Sequence, residues 1–197
     1  MRIPVSGCRY ASSVTRGDDT ACGDDAMRSA ISNELQRLEE SAKYSSQGQF
    51  EQAKQWRSVN LGLGVPTSLL AAVSGATVLS DTGYAVLGGI LALAAAAGGA
   101  ILTTLNASHR MNQASAAANA YLEVQTAARQ ARLIDLPGLD IGDARSTLAE
   151  LTARRDEQNK TAEIINVRAR KKAQKSIGSG GQNYAVDQGA TQSNLEG

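Results

Sequence analysis

The chain carries one histidine, His109, and a catalytic reading would have to begin there. A hydrolytic triad needs a nucleophile within reach of that imidazole and an acid to orient it, and no motif around His109 supplies either. Cys8 and Cys22 are the only thiols. They could pair as a disulfide, but with no histidine nearby they fall short of a four-ligand zinc site, and two incidental thiols is the alternative. Asp24-Asp25 is a paired-acid feature. It adjoins a polar, aperiodic stretch and reads as the cap of a following helix, where carboxylates meet the positive end of the helix dipole. Gly178-Ser179-Gly180-Gly181 has neither the Lys-Ser/Thr ending nor the preceding strand of a phosphate loop. Asn106-Ala107-Ser108 and Asn159-Lys160-Thr161 match the glycosylation sequon, but both are expected at or below the cytoplasmic face of a membrane and read as chance matches. What remains is the run Arg168 to Lys175, with five cations in eight residues. Arg168, Arg170, Lys171, Lys172 and Lys175 can close a helix C-terminus, contact an anionic leaflet, or hold a phosphate-bearing ligand or partner. No enzyme activity, cofactor or metal is expected.

Chemistry of that kind needs a scaffold, and the charge distribution specifies one. There are 197 residues, 20 of them basic and 19 acidic, for a net charge of +1. That balance argues against nucleic acid as a partner. Aromatics at 4% are too scarce for an all-β core. Of the charged residues, all but Asp81 lie outside Ser58–Ser108. Ser58–Ser80 is 23 residues and Thr82–Ser108 is 27 residues without a charge. A bilayer core of ~30 Å needs ~20 helical residues, and lipid requires each backbone to satisfy its own hydrogen bonds. Two spans, about 58–80 and 83–106, joined by a tight link at Asp81 are therefore expected. The alternative, a hairpin buried in a soluble protein, is opposed by the little apolar surface available elsewhere in the chain.

Lys43, Lys54 and Arg57 precede the first segment and Arg110, Arg129 and Arg132 follow the second, so both termini are expected in the cytoplasm. Trp56 and Tyr84 suit the inner and outer interfacial belts. Small residues at helical spacing, Gly62, Gly75, Gly88, Gly98 and Gly99 among them, allow close helix approach in lipid, either within the pair or between copies. Pro66 removes a backbone donor and bends the first helix, as a hinge or as a fixed kink. Any aqueous path would have to use Asn60, Thr67, Ser68, Ser74, Thr77, Thr103, Thr104 or Asn106, and two helices cannot enclose one, so it would need several copies.

The flanks read as helices. Ile31, Leu35, Leu38 and Ala42 repeat at helical spacing, weaken near Gly48, and resume at Phe50, Ala53 and Trp56. Met111, Ala114, Ala118, Tyr121, Gln125 and Ala128 form a stripe suited to packing on that helix. Asp135-Leu136-Pro137-Gly138 is a turn. A last helix starts near Asp140–Asp143, shows Ala144, Leu148 and Leu151 on its apolar face, and runs on to the basic end. The expected fold is all-α: a two-span transmembrane hairpin with long cytoplasmic helices forming a bundle across 25–175. Disordered tails are expected at 1–24 and 176–197. No apolar run of secretory-signal length occurs near the N-terminus.

In order and spacing, four pieces resemble the SLATT family, the two-transmembrane domains that associate with nucleotide-signalling and nucleotide-sensing proteins. They are Ala53–Arg57 leading into the first span; Leu63–Leu79 with Pro66 early and Gly75 late; Ala117–Tyr121 after the second span; and Leu148–Asn159 before the basic end. The similarity covers roughly Ala30 to Lys175. No fused sensor or enzyme domain accompanies it, so an activator would have to be separate. The resemblance implies a membrane effector of a prokaryotic antiphage conflict system. Such a protein would assemble as a homo-oligomeric pore in membrane lipid and depolarise the cell when a nucleotide second messenger or partner sensor signals. A non-conducting scaffold that recruits a soluble partner through the face near Leu148 and Leu151 competes with this reading. A transporter subunit is weakened by the lack of any ionisable residue within a span.

Overall fold

The computed structural model describes residues 18–79 and 85–182. Every regular element among them is helical: α1 (Asp18–Leu79), α2 (Ala85–Leu105), α3 (Ala107–Gln130) continued by a π-helical turn (Ala131–Asp135), α4 (Ile141–Thr161) and α5 (Val167–Gly178). The helices containing the two apolar segments are long and apolar enough to cross a membrane. The charged remainders of the chain pack on one another.

The polar part is built on α1. Its stripe Ile31, Leu35, Leu38 and Ala42 is buried against Val124, Ala128 and Ala131 of the α3 region, Leu136 of the turn, and Ala144 and Leu151 of α4. On α3 the buried positions are Ala107, Ala114, Ala117, Ala118, Tyr121, Val124 and Ala128, and the alanines among them let the two backbones come close. Ion pairing and hydrogen bonding tie the far end. Arg132 meets Glu39 at 3.1 Å, and the Arg28 guanidinium donates to the Leu136 carbonyl at 2.7 Å. The Pro137-Gly138 turn closes with Gly138 N donating to Asp135 O. Asp140 caps α4 by accepting from Asp143 N at 2.9 Å. On the facing helices the Tyr121 hydroxyl donates to Asn159 Oδ1 at 2.8 Å. Burial pushes the Tyr121 phenol above its usual range, with Arg155 partly opposing.

Several expectations are corrected. The first helix begins at Asp18, so Asp24 and Asp25 lie within α1 and cap nothing, and residues 18–24 belong to the helix rather than to a tail. Where the apolar pattern weakens, α1 continues as one helix through Gly48, which is buried there: a Cβ would stand 2.6 Å from Ile165 Cδ1. Glycine at that place permits a close approach of another segment rather than a bend. One residue separates α2 from α3. Asn106 adopts a left-handed conformation, φ 46 and ψ 44, which asparagine tolerates better than most residues. The final helix is two helices. Ala162 is extended, and Asn166 opens α5 by accepting from Ala169 N at 2.8 Å. That helix runs past the expected end at Lys175 to Gly178. The remainder of each expected tail, residues 1–17 and 183–197, lies outside the described residues, as do Tyr84 and Asp81.

Candidate functional site

The apolar segments meet along one narrow strip. The Ser74 hydroxyl, buried, donates across to the Gly88 carbonyl at 2.8 Å. Further along, Gly98 stands against Thr67: a Cβ there would come within 2.5 Å of Thr67 Oγ1. A Cβ on Gly64 would lie 3.8 Å from Leu102 Cδ1. As residue numbers rise on α1 they fall on α2, so the two segments run in opposite directions where they touch. Gly88 and Ala95 are the buried positions of α2.

Most of the other described positions on these segments are exposed. Leu61, Val65, Leu69 and Val73 on α1 and Val86, Leu87, Ile90, Leu93 and Ile101 on α2 all face outward. Leu93 is 73% exposed, more than an ordinary core helix in water would tolerate. The glycines divide between the two surroundings. Gly88 and Gly98 serve the contact between the segments, whereas nothing lies within 4 Å of a Cβ placed on Gly62, Gly75, Gly89 or Gly99. Pro66 stands inside α1 with the helix continuing on both sides.

Five other hydroxyls of the described segments are bonded within their own helix. Thr67 donates to Leu63 O, Ser68 to Gly64 O, Thr77 to Ser74 O, Thr103 to Gly99 O and Thr104 to Ala100 O. A hydroxyl that bonds back to its own helix can face hydrocarbon at small cost.

Where the two segments join the charged part of the chain, polar groups converge. The Arg110 guanidinium lies over the Trp56 ring, 5.1 Å from its centroid, and pairs with Glu163 at 2.6 Å. Trp56 thus has a cation partner. Thr104, Leu105, Asn106, His109, Gln113 and Glu163 line a shallow cleft beside this pair. Nearby, a glutamine row on α1 grips the α4–α5 connection. Gln49 Nε2 donates to Glu163 O at 2.8 Å, Gln52 Oε1 accepts from Asn166 N at 3.1 Å, and Gln55 Oε1 accepts from Asn166 Nδ2 at 2.7 Å.

The sequence reading missed this row. Its signal was available: Gln49, Gln52 and Gln55 recur every third residue, where the apolar stripe of α1 lapses around Gly48.

Of the basic residues, Arg168, Arg170, Lys171, Lys172 and Lys175 are all exposed on α5, whose buried face is Ala169 and Ala173. Arg170 also lines a pocket of about 300 Å³ with Tyr44, Gly48 and Ile165. Among the described residues no group of three or more His, Cys, Asp or Glu is placed to hold a metal ion. Comparison with models of protein families, with curated proteins and with solved structures gives no match.

Proposed function

We propose that the two apolar segments form a transmembrane hairpin with both termini in the cytoplasm, and that α3, α4, α5 and the N-terminal part of α1 form a cytoplasmic bundle. The observation that carries this reading is the exposure of the segments. Only 6% and 11% of their most apolar stretches is buried within the chain, and hydroxyl side chains are turned back onto their own backbones. Lipid is the surrounding that accepts such surfaces.

On that basis the protein acts as a membrane effector, in the manner the SLATT resemblance implies. It assembles as a homo-oligomer and depolarises the membrane when a nucleotide second messenger or a partner sensor signals infection. Open space beside Gly62, Gly75, Gly89 and Gly99 supports assembly, since these positions are left unused by the contact within one chain and suit close approach of another copy. Gly98 and Gly88 are assigned to packing inside the hairpin, and Pro66 to a bend near its inner end.

The competing reading, a non-conducting scaffold, is favoured by one observation: among the described residues the spans present no ionisable group, and their hydroxyl protons are all donated to backbone carbonyls. The test is the membrane potential of bacteria expressing the chain, followed with a voltage-sensitive dye, with and without a panel of cyclic-oligonucleotide synthases. Depolarisation that depends on one synthase supports the triggered pore. A steady potential throughout, with the protein confirmed in the membrane, favours the scaffold.

A further inference from the structure

The connection between α4 and α5 has features that neither the bundle nor the hairpin uses. Ile164 is 91% exposed and Val167 is 69% exposed, whereas Ile165 between them turns inward against Gly48. Two large aliphatic side chains therefore project from one corner. Basic side chains follow immediately: Arg168, Arg170, Lys171, Lys172 and Lys175, all exposed, with no acidic residue in α5.

The place of this corner is fixed from two directions. Asn166 is hydrogen-bonded to Gln55, three residues before the first uncharged segment begins at Ser58. Glu163 is paired with Arg110, four residues after Asn106, where the second expected span ends. At 1.5 Å of rise per residue, those offsets are roughly 5 and 6 Å along the helix axes. The headgroup layer on one side of a bilayer is about 5–8 Å deep. The corner is thus at headgroup depth, beside Trp56.

We propose that the α4–α5 corner is a lipid-docking element for the inner leaflet: Ile164 and Val167 enter the boundary between headgroups and acyl chains, and the α5 cations bind anionic headgroups around them. This rests on the membrane reading above. An apolar edge joined to a basic helix is the composition that binds anionic interfaces, and long Lys and Arg side chains can bury their stems while keeping their charges among the phosphates. The α4–α5 break acquires a role here. Because Gln49 and Gln52 hold the connection by its backbone, the side chains of Ile164 and Val167 are left free to project. Docking of the corner would couple the inner leaflet to the α1 segment that continues into the membrane.

The test uses the full chain, with Cys8 and Cys22 replaced by Ser, in nanodiscs of zwitterionic lipid with or without phosphatidylglycerol. Single cysteines carry an environment-sensitive fluorophore at Ile164, Val167, Leu93 and Ile134, and the discs contain lipids with quenchers at shallow or deep positions. The expected result is quenching of the 164 and 167 labels by the shallow quencher in anionic discs. That quenching is lost in zwitterionic discs and after combined R168Q, K171Q, K172Q and K175Q substitution. The Leu93 label should be quenched by the deep quencher in every disc and the Ile134 label by neither. A quenched Leu93 label with water-like labels at 164 and 167 overturns the docking corner and leaves the membrane reading standing. An unquenched Leu93 label overturns the membrane reading itself. Equal quenching at 164 in both lipid mixtures overturns the anionic-lipid assignment, and quenching at Ile134 overturns a contact confined to the corner.

Discussion

Replacing Gly98 with Ala should loosen the contact between the two apolar helices, while the same change at Gly99 should not. A Cβ at Gly98 would lie 2.5 Å from Thr67 Oγ1, 3.3 Å from its Cγ2 and 3.4 Å from its Cβ; at Gly99 nothing lies within 4 Å. The Thr67 hydroxyl cannot yield freely, because it donates to Leu63 O at 2.6 Å and a β-branched side chain has few helical rotamers. Overpacking of this kind costs about 1–3 kcal/mol. Both substitutions gain the same helix propensity, about 1 kcal/mol in water, so in micelles dilute enough to keep the chain monomeric, where Gly99 meets no second copy, their difference isolates the clash. G98A should therefore fall about 1–3 kcal/mol below G99A, from roughly fivefold to over a hundredfold in the equilibrium constant. Removing the obstructing atoms should restore the contact: in T67A/G98A the nearest Thr67 atom left is the Cβ at 3.4 Å, an ordinary contact. The added cost of G98A in the T67A background should shrink to within about 0.5 kcal/mol. The assay is reversible unfolding in mixed micelles with rising SDS, followed by the emission of Trp56, the single tryptophan. Equal stability of G98A and G99A, or a G98A penalty that T67A leaves intact, would refute the packing argument.

Three further outcomes follow from the polar part of the chain. Leu35 is 1% exposed in the buried cluster on α1, so L35A should destabilise the fold there by about 2–5 kcal/mol in thermal melts followed by circular dichroism. The Asp140 carboxyl is held below its ordinary range, first by the hydrogen bond from the Asp143 backbone, and a lowered folded value means its contribution is present above the unfolded pKa and lost as pH falls through the folded one. Asp143 is raised by the neighbouring Asp140 carboxyl and works in the opposite sense. D140A should therefore lower the melting temperature at neutral pH, and the gap from wild type should close under acid below the carboxylate range; a gap independent of pH would contradict the cap. Gln49 Nε2 satisfies the Glu163 carbonyl, so Q49L should cost about 1–3 kcal/mol and speed amide exchange selectively in 162–168; uniform exchange along α4 and α5 would count against the glutamine grip.

The helical class and two buried stripes, Ile31, Leu35, Leu38 and Ala42 on α1 and Ala114, Ala118, Tyr121 and Ala128 on α3, were legible because an amphipathic helix in water writes its buried face as a 3.6-residue period. The break at Ala162–Asn166 was not. Ile164, Ile165 and Val167 keep the local pattern apolar, and what interrupts the helix is a set of hydrogen bonds from residues more than a hundred positions away, Gln49, Gln52 and Gln55. In the apolar segments periodicity itself loses meaning. When every face is small or aliphatic, the 100° that separates Gly98 from Gly99 leaves no mark in the sequence, though one glycine meets Thr67 and the other open space. The Asp24-Asp25 cap misled for a related reason: a good capping residue does not end a helix when the residues before it can continue one.

The central claim is that two uncharged segments cross a bilayer and return the chain to the side it left. It is tested most directly by single cysteines at position 81, in the link between the segments, and at Glu150 on α4, each in a background with Cys8 and Cys22 replaced by Ser. Intact cells are treated with a membrane-impermeant maleimide before and after permeabilisation. The account predicts that the position 81 cysteine is labelled in intact cells and that the Glu150→Cys thiol is labelled only after permeabilisation. Both sites labelled in intact cells, or both only after permeabilisation, would contradict it.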